Sequence, residues 1–192
     1  MRRLRVLRGL RGERGYSLIE MLIVLAIMGV VMGALTTLFV QASNAELDMN
    51  NRFQAQQGTR LALDKMRREV HCGTVATPAG QSSSVTLTLP SYCKTGSGSI
   101  TWCTRNIATN RYGLYRVVGS TCTGGVEWAD YLVPTSTAPT CSGALCIFTY
   151  TAQSTSSLAK LHVDFPVNIK PSKSVERYEL VDDIVLRNST RS

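Results

Sequence analysis

Gly15-Tyr16-Ser17-Leu18-Ile19-Glu20-Met21-Leu22-Ile23-Val24-Leu25-Ala26-Ile27-Met28-Gly29-Val30 is the stretch that decides how the rest of the chain is read. A basic leader ends at Gly15, an apolar run follows at once, and one carboxylate, Glu20, sits near the start of that run. From Met21 to Val40, 20 residues, no side chain carries a charge. As a helix this run is long enough to cross a hydrocarbon core about 30 Å thick. An acid at the centre of such a helix costs about 2.5 kcal/mol or more. Glu20 therefore needs a partner or a polar surrounding.

The 192 residues suffice for one ordinary domain plus an anchor. The net charge of +8 is uneven. Met1–Gly15 holds six arginines and Glu13, or +5, and the remainder carries 15 basic and 12 acidic residues, or +3. The basic excess is thus mainly a leader property. No Lys/Arg stripe with interleaved aromatics follows it, so no nucleic-acid surface is predicted. Arginines before an apolar run stay in the cytoplasm, which sends the residues after Val40 outward. An ordinary uncleaved anchor is one rival reading, and a conventional secretory signal, with Ala42-Ser43-Asn44-Ala45 as its cleavage site, is the other. The length of the run and the acid inside it argue against the secretory signal.

The opening stretch resembles the class III signal of type IV pilins and type II secretion pseudopilins. The resemblance covers about the first 30 residues. It implies cleavage by prepilin peptidase after Gly15, N-methylation of the new terminus Tyr16, and a charge-pairing role in assembly for Glu20, the fifth residue of the mature chain. Phe is usual after the cut, so Tyr16 departs from the pattern. The resemblance further implies other pilin or pseudopilin subunits, an inner-membrane assembly platform with its ATPase, and membrane lipid as partners. The location implied is a single pass of the inner membrane, then a filament.

The helix is predicted to continue. Gln41 to Val70 has no proline and is rich in helix formers. Met49, Phe53, Leu63, Met66 and Val70 fall near one face at a 3.6-residue period. Gln56-Gln57-Gly58 interrupts that stripe. Asp64 and Arg68 are spaced to pair. Gly73 is a candidate C-terminal cap. Beyond it, β-type runs alternate with turns: Val85–Leu89, Ile100–Thr104, Tyr112–Val118, Trp128–Val133, Cys146–Tyr150, Leu158–Phe165 and Val175–Leu186. Thr74–Ser84 and Pro134–Leu145 read as loops.

The predicted fold class is therefore α+β. A leader (1–15, cleaved) precedes a long N-terminal helix (16–72, membrane-spanning over about 16–40), and a β-rich head (73–192) lies beyond the membrane. The first three strands read as an antiparallel meander. Gly113-Leu114-Tyr115-Arg116, Phe148-Thr149-Tyr150 and Leu186-Arg187-Asn188 are similar to patches of J-type minor pseudopilins and PilW-type minor pilins. The lack of proline between Tyr16 and Val70 also tilts towards a minor subunit.

Six cysteines, Cys72, Cys93, Cys103, Cys122, Cys141 and Cys146, all lie in the outer part, which predicts disulfides. Zinc spacing such as C-x2-C is absent, so no metal is expected. Cys141 and Cys146 would close a short local loop. With the second hairpin turn centred near Ala108–Thr109, paired numbers sum to about 217. Cys122 then falls level with Thr95 and can bridge to Cys93, leaving Cys72 for Cys103.

Other chemistry reads as bland. His71 and His162 have no nucleophile beside them. Asp182-Asp183 point to opposite strand faces. Asn188-Ser189-Thr190 matches a glycosylation acceptor in a tail. Trp102 and Trp128 are core or sheet-face residues. Gly29 and Gly33 form a G-x-x-x-G that suits close helix approach. No phosphate-binding loop and no cofactor is expected. The leading expectation is a structural subunit, a minor pilin or pseudopilin, and not an enzyme. A binding module for DNA uptake or adhesion, with Arg105, Arg111 and Arg116 around one hairpin, is the alternative. A membrane-anchored exported enzyme comes third.

Overall fold

A computed structural model describes residues 15–170 and 177–189. The leader up to residue 14, the start of the last predicted strand and Thr190 lie outside the described residues. One helix, α1, runs from Leu18 to Cys72. Eleven strands follow: β1 (Val75–Thr77), β2 (Gly80–Ser82), β3 (Ser84–Leu89), β4 (Gly98–Ala108), β5 (Arg111–Val118), β6 (Val126–Leu132), β7 (Thr140–Cys141), β8 (Ala144–Leu145), β9 (Phe148–Thr151), β10 (Lys160–Val167) and β11 (Tyr178–Val185). The α+β expectation holds. By internal contacts the chain forms two units, the residues through Leu47 and those from Asp48 onward.

In the second unit, nine strands form one sheet: eight follow the order β1-β3-β4-β5-β6-β10-β9-β2, β11 pairs with β10 off that path, and every strand pair is antiparallel. The predicted meander is β3-β4-β5. β11 runs along all of β10, whose other edge is shared between β9 and a single contact with β6. β7 and β8 make a separate small hairpin. The short strands β1, β2, β7 and β8 replace predicted loops. They are two or three residues long, too short for a period-2 pattern to show.

The helix buries Ala55, Thr59, Ala62, Leu63, Met66, Glu69 and Val70. This corrects the predicted stripe at its N-terminal end, because Met49 and Phe53 are 72% and 64% exposed. Small residues take that part of the buried face instead. A Cβ at Gly58 would come 3.4 Å from the Trp128 carbonyl oxygen, so the backbones of α1 and β6 approach closely there. The Thr59 hydroxyl turns back to the Ala55 carbonyl at 2.8 Å and brings no unpaired polar group into the contact.

Glu69 lies on this face, fully buried. Trp102 Nε1 donates to its Oε2 at 2.8 Å, and Arg116 Nε donates to its Oε1 at 2.8 Å. Trp102 and Arg116 stand directly opposite each other on β4 and β5. Lys65 Nζ, one helical turn back, lies 3.4 Å from Oε1. Further along, Arg67 Nε donates to Asp182 at 2.7 Å and His71 Nδ1 meets the Val185 carbonyl at 2.9 Å, both on β11. Arg67 also takes Asp64 at 3.2 Å, so the predicted Asp64–Arg68 pair is not made. Asp182 competes for the helix's cations from outside the helix, which helical spacing alone does not register.

The helix ends where two devices meet its last carbonyls. Gly73 N–H donates to the Glu69 carbonyl at 2.7 Å, and Asn188 Nδ2 donates to the Cys72 carbonyl at 2.9 Å. The Asn188 amide is therefore a helix cap. The chain then joins the sheet at once, with Val75 opposite Thr88 on β3. That pairing sets Cys72 beside the exit of β3, where Cys93 lies.

The structure joins Cys72 to Cys93, Cys103 to Cys122 and Cys141 to Cys146, with Cα separations of 6.0, 6.1 and 5.9 Å. The expected Cys93–Cys122 and Cys72–Cys103 pairs are thus corrected, for two reasons. β1 falls within the predicted loop Thr74–Ser84, and its pairing with β3 brings Cys72 to Cys93. The β5 strand also does not run on to carry Cys122 level with Thr95. It stops at Val118, and the chain folds back so that Arg105 Nε lies 3.4 Å from Cys122 Sγ. Gly125 makes the return possible: its φ is +85°, and a Cβ there would sit 2.4 Å from the Arg116 carbonyl oxygen. The register differs by one residue as well. A bulge between Asn106 and Ala108 places Cys103 opposite Tyr115.

Glu69→Ala should destabilise the second unit by about 3–5 kcal/mol, because it strands a mostly buried guanidinium. Glu69→Gln, which retains a side-chain acceptor, should cost less. Denaturant unfolding of both variants followed by tryptophan fluorescence measures the difference, and equal costs would show that an uncharged acceptor contributes nothing in place of the carboxylate.

Candidate assembly segment

In the first unit, Gly15, Tyr16 and Ser17 precede the helix. A Cβ on Gly15 would meet nothing within 4 Å. No close approach inside the described chain requires glycine at that position. Ser17 occupies the N-cap, and its carbonyl accepts the Met21 N–H at 3.2 Å. Glu20 then falls in the first helical turn, where the positive end of the helix dipole favours an acid. Ser17-Leu18-Ile19-Glu20 has capping-box spacing, a local signal for the helix start that the sequence carries in addition to the apolar run.

Among the described residues the apolar run from Leu18 to Val40 has no buried side chain. Its large apolar side chains from Leu18 to Val40 are between 50 and 79% exposed, and the mean hydropathy of its best window is 2.6. Full burial of each such side chain is worth about 1.5–3 kcal/mol, so the run requires lipid or other apolar helices around it. Three side chains between Leu18 and Val40 are polar: Glu20, Thr36 and Thr37. Thr36 Oγ1 donates to the Met32 carbonyl at 2.7 Å and Thr37 Oγ1 to the Ala34 carbonyl at 2.8 Å. Both hydroxyls are thus satisfied by their own helix, as an apolar medium demands. Glu20 has no hydrogen bond or ion pair among the described residues. Gly29 and Gly33 have open space where a Cβ would be, so a neighbouring helix would meet bare backbone there.

The other residues singled out have structural employment in the second unit. His162 Nδ1 lies 2.7 Å from Asp183 Oδ1, and Lys160 Nζ lies 3.1 Å from Asp183 Oδ2. The His162 hydrogen bond, with Lys160 beside it, holds the Asp183 carboxyl below its ordinary value. Asp182 and Asp183 do point to opposite sides, but each carboxylate is ion-paired, Asp182 with Arg67 and Asp183 with Lys160. Trp102 is fully buried and Trp128 partly so, with ring centroids 5.9 Å apart. The three hairpin arginines are all engaged. Arg105 stacks on Tyr115 and donates to the Gly124 carbonyl, Arg111 pairs with Asp130 and stacks on Tyr131, and Arg116 holds Glu69.

Replacing Thr36 and Thr37 together by valine should leave membrane extraction behaviour unchanged, since both hydroxyls are already spent on the backbone. Carbonate extraction of membranes carrying the double variant measures this; release of the variant would show that the hydroxyls have partners outside their own helix.

The prokaryotic N-terminal methylation motif matches residues 10–36. Neither a curated protein nor a solved structure matches the chain. The chain therefore carries a type IV pilin-like methylation signal at its N-terminus, joined to an α+β fold of pilin type.

Proposed function

We propose that the chain is a minor subunit, a minor pilin or pseudopilin, of a type IV pilus or a type II secretion pseudopilus. Its role is structural, not enzymatic. The observation that carries this reading is the state of Glu20. It is the one polar side chain of the apolar run with no partner among the described residues, and it lies four residues after Tyr16. Prepilin peptidase would hydrolyse the Gly15–Tyr16 peptide bond: water supplies hydroxide to the Gly15 carbonyl carbon and a proton to the Tyr16 nitrogen. The new amine is a cation beside an apolar bundle. Pairing it with Glu20 of a neighbouring subunit removes two costly charges at once and sets the axial register between helices. The single apolar helix suits storage in the inner membrane before assembly, with the second unit outside it and the energy supplied by a separate cytoplasmic ATPase.

The J-type or PilW-type assignment draws support from its three patches, two of which do work in the fold. Arg116 of the first holds Glu69, and Asn188 of the third caps the helix. These duties belong to the helix–sheet junction. The enzyme reading finds less support. His71 is bonded to the Val185 carbonyl and His162 to Asp183, and neither has a hydroxyl or thiol nucleophile among its hydrogen-bond partners.

Mass spectrometry of the chain from its native membrane should show an N-terminus at Tyr16 carrying one methyl group. A functional chain still beginning at Met1 would sink the processing step. Glu20→Ala should be processed and inserted normally, because it only makes the helix more apolar. It should, however, fail to co-purify with sister subunits. Normal recovery of the variant in the assembled complex would remove the pairing role.

A further inference from the structure

Most lysines and arginines among the described residues are held by a partner. Lys65 and Arg116 meet Glu69, Arg67 meets Asp182, Arg111 meets Asp130, Lys160 meets Asp183, Lys170 meets Asp48, Arg177 meets Glu179, and Arg60 lies on Tyr178. Arg68, Lys94 and Arg187 differ. None of the three makes a hydrogen bond, ion pair or ring contact among the described residues. All three line one pocket of about 440 Å³, and among the described residues no carboxylate lines it with them.

The three cations come from three separated segments, and a rigid frame brings them together. Arg68 lies on the last turns of α1. Lys94 follows Cys93, which is tied to the helix end by the Cys72–Cys93 disulfide. Arg187 precedes Asn188, whose amide caps the Cys72 carbonyl. Thr95 lines the same pocket, and its Oγ1 is buried without a hydrogen-bond partner. Tyr92 completes the wall with a side chain 59% exposed. Cations are favoured near a helix C-terminus. Here, however, Asn188 and Gly73 already satisfy carbonyls at that end, and the dipole calls for neither an orphan hydroxyl nor an exposed ring.

We propose that this pocket binds the phosphate backbone of single-stranded nucleic acid. Guanidinium and ammonium groups neutralise phosphate oxygens through charge-assisted hydrogen bonds. The exposed Tyr92 ring offers a face for an unstacked base, which a duplex does not present. An acidic peptide would use the cations and leave the ring idle. The proposal stands independently of assembly, since it uses only the second unit.

The test is fluorescence anisotropy of a labelled oligothymidylate with the processed chain, beginning at Tyr16, in neutral detergent, so that the six leader arginines supply no second anion-binding site. The combined Arg68→Ala, Lys94→Ala, Arg187→Ala variant should lose at least tenfold in affinity. The log–log salt slope should flatten by about 2, at about 0.7 per lost phosphate contact. Tyr92→Ala should weaken binding by about 5- to 100-fold with the slope unchanged. Lys160→Ala, which removes an ammonium already paired with Asp183, should leave both unchanged. If the triple variant does not fold, Arg68→Ala and Lys94→Ala alone should each flatten the slope by about 0.7. Wild-type affinity and slope in these variants would overturn the proposal. So would equal competition, at matched charge, by inorganic phosphate, an acidic peptide or anionic lipid vesicles.

Discussion

The second unit depends on where a single buried carboxylate is satisfied. Glu69 sits on a helix face that is otherwise apolar or small, at zero exposure. An uncompensated charge there would cost several kcal/mol. Trp102 and Arg116 supply two of its bonds from adjacent strands, and Lys65 adds a third charge contact from the helix itself. Because Trp102 and Arg116 are register partners, the bonds are made only if β4 and β5 are correctly aligned and the helix is correctly rotated. Hydrophobic burial drives the helix onto the sheet but does not distinguish neighbouring rotations well. The carboxylate does, since a rotation of a fraction of a turn leaves it buried and unpaired.

The end of the helix is a second junction of the same kind. Cys72, Gly73 and Asn188 bring together a disulfide, a backbone turn and a side-chain cap within two residues of the helix terminus. β1 follows immediately and pairs with β3. The last strand, β11, reports back to the helix through Asp182 and Val185. First and last elements of the unit are thus tied through one helix end. The Cys103–Cys122 bridge fixes the returning loop between β5 and β6, where glycine is needed for the chain to pass Arg116.

The first unit obeys a different solvent rule. Its polar hydroxyls point back to its own carbonyls and its apolar side chains face outward, the reverse of the second unit's arrangement. This makes Glu20 conspicuous. Glu69 shows in the second unit what the chain does with a desolvated carboxylate: it surrounds it with donors. Glu20 has none among the described residues, so its donors are expected to come from outside the chain, which is the physical root of the assembly proposal.

Sequence alone determined the elements whose signal is local. The uninterrupted apolar run and the proline-free continuation fix one helix, and the period-2 alternation at Val85–Leu89 or Leu161–Phe165 marks strands. The methylation motif over residues 10–36 is a short linear signal and reads directly. Tertiary structure alone decided what depends on residues distant in the chain. Met49 and Phe53 are apolar at the right period yet exposed, because the approach of β6 favours Ala55, Gly58 and Thr59. Arg67 rather than Arg68 takes Asp64, and Asp182 joins it from β11. The partners of Cys72 and Cys103 follow from where β1 pairs and how the loop after β5 folds back, neither of which leaves a periodic trace. Periodicity encodes which face of an element is buried; it does not encode which other element covers that face, and pairings between distant residues are set by that choice.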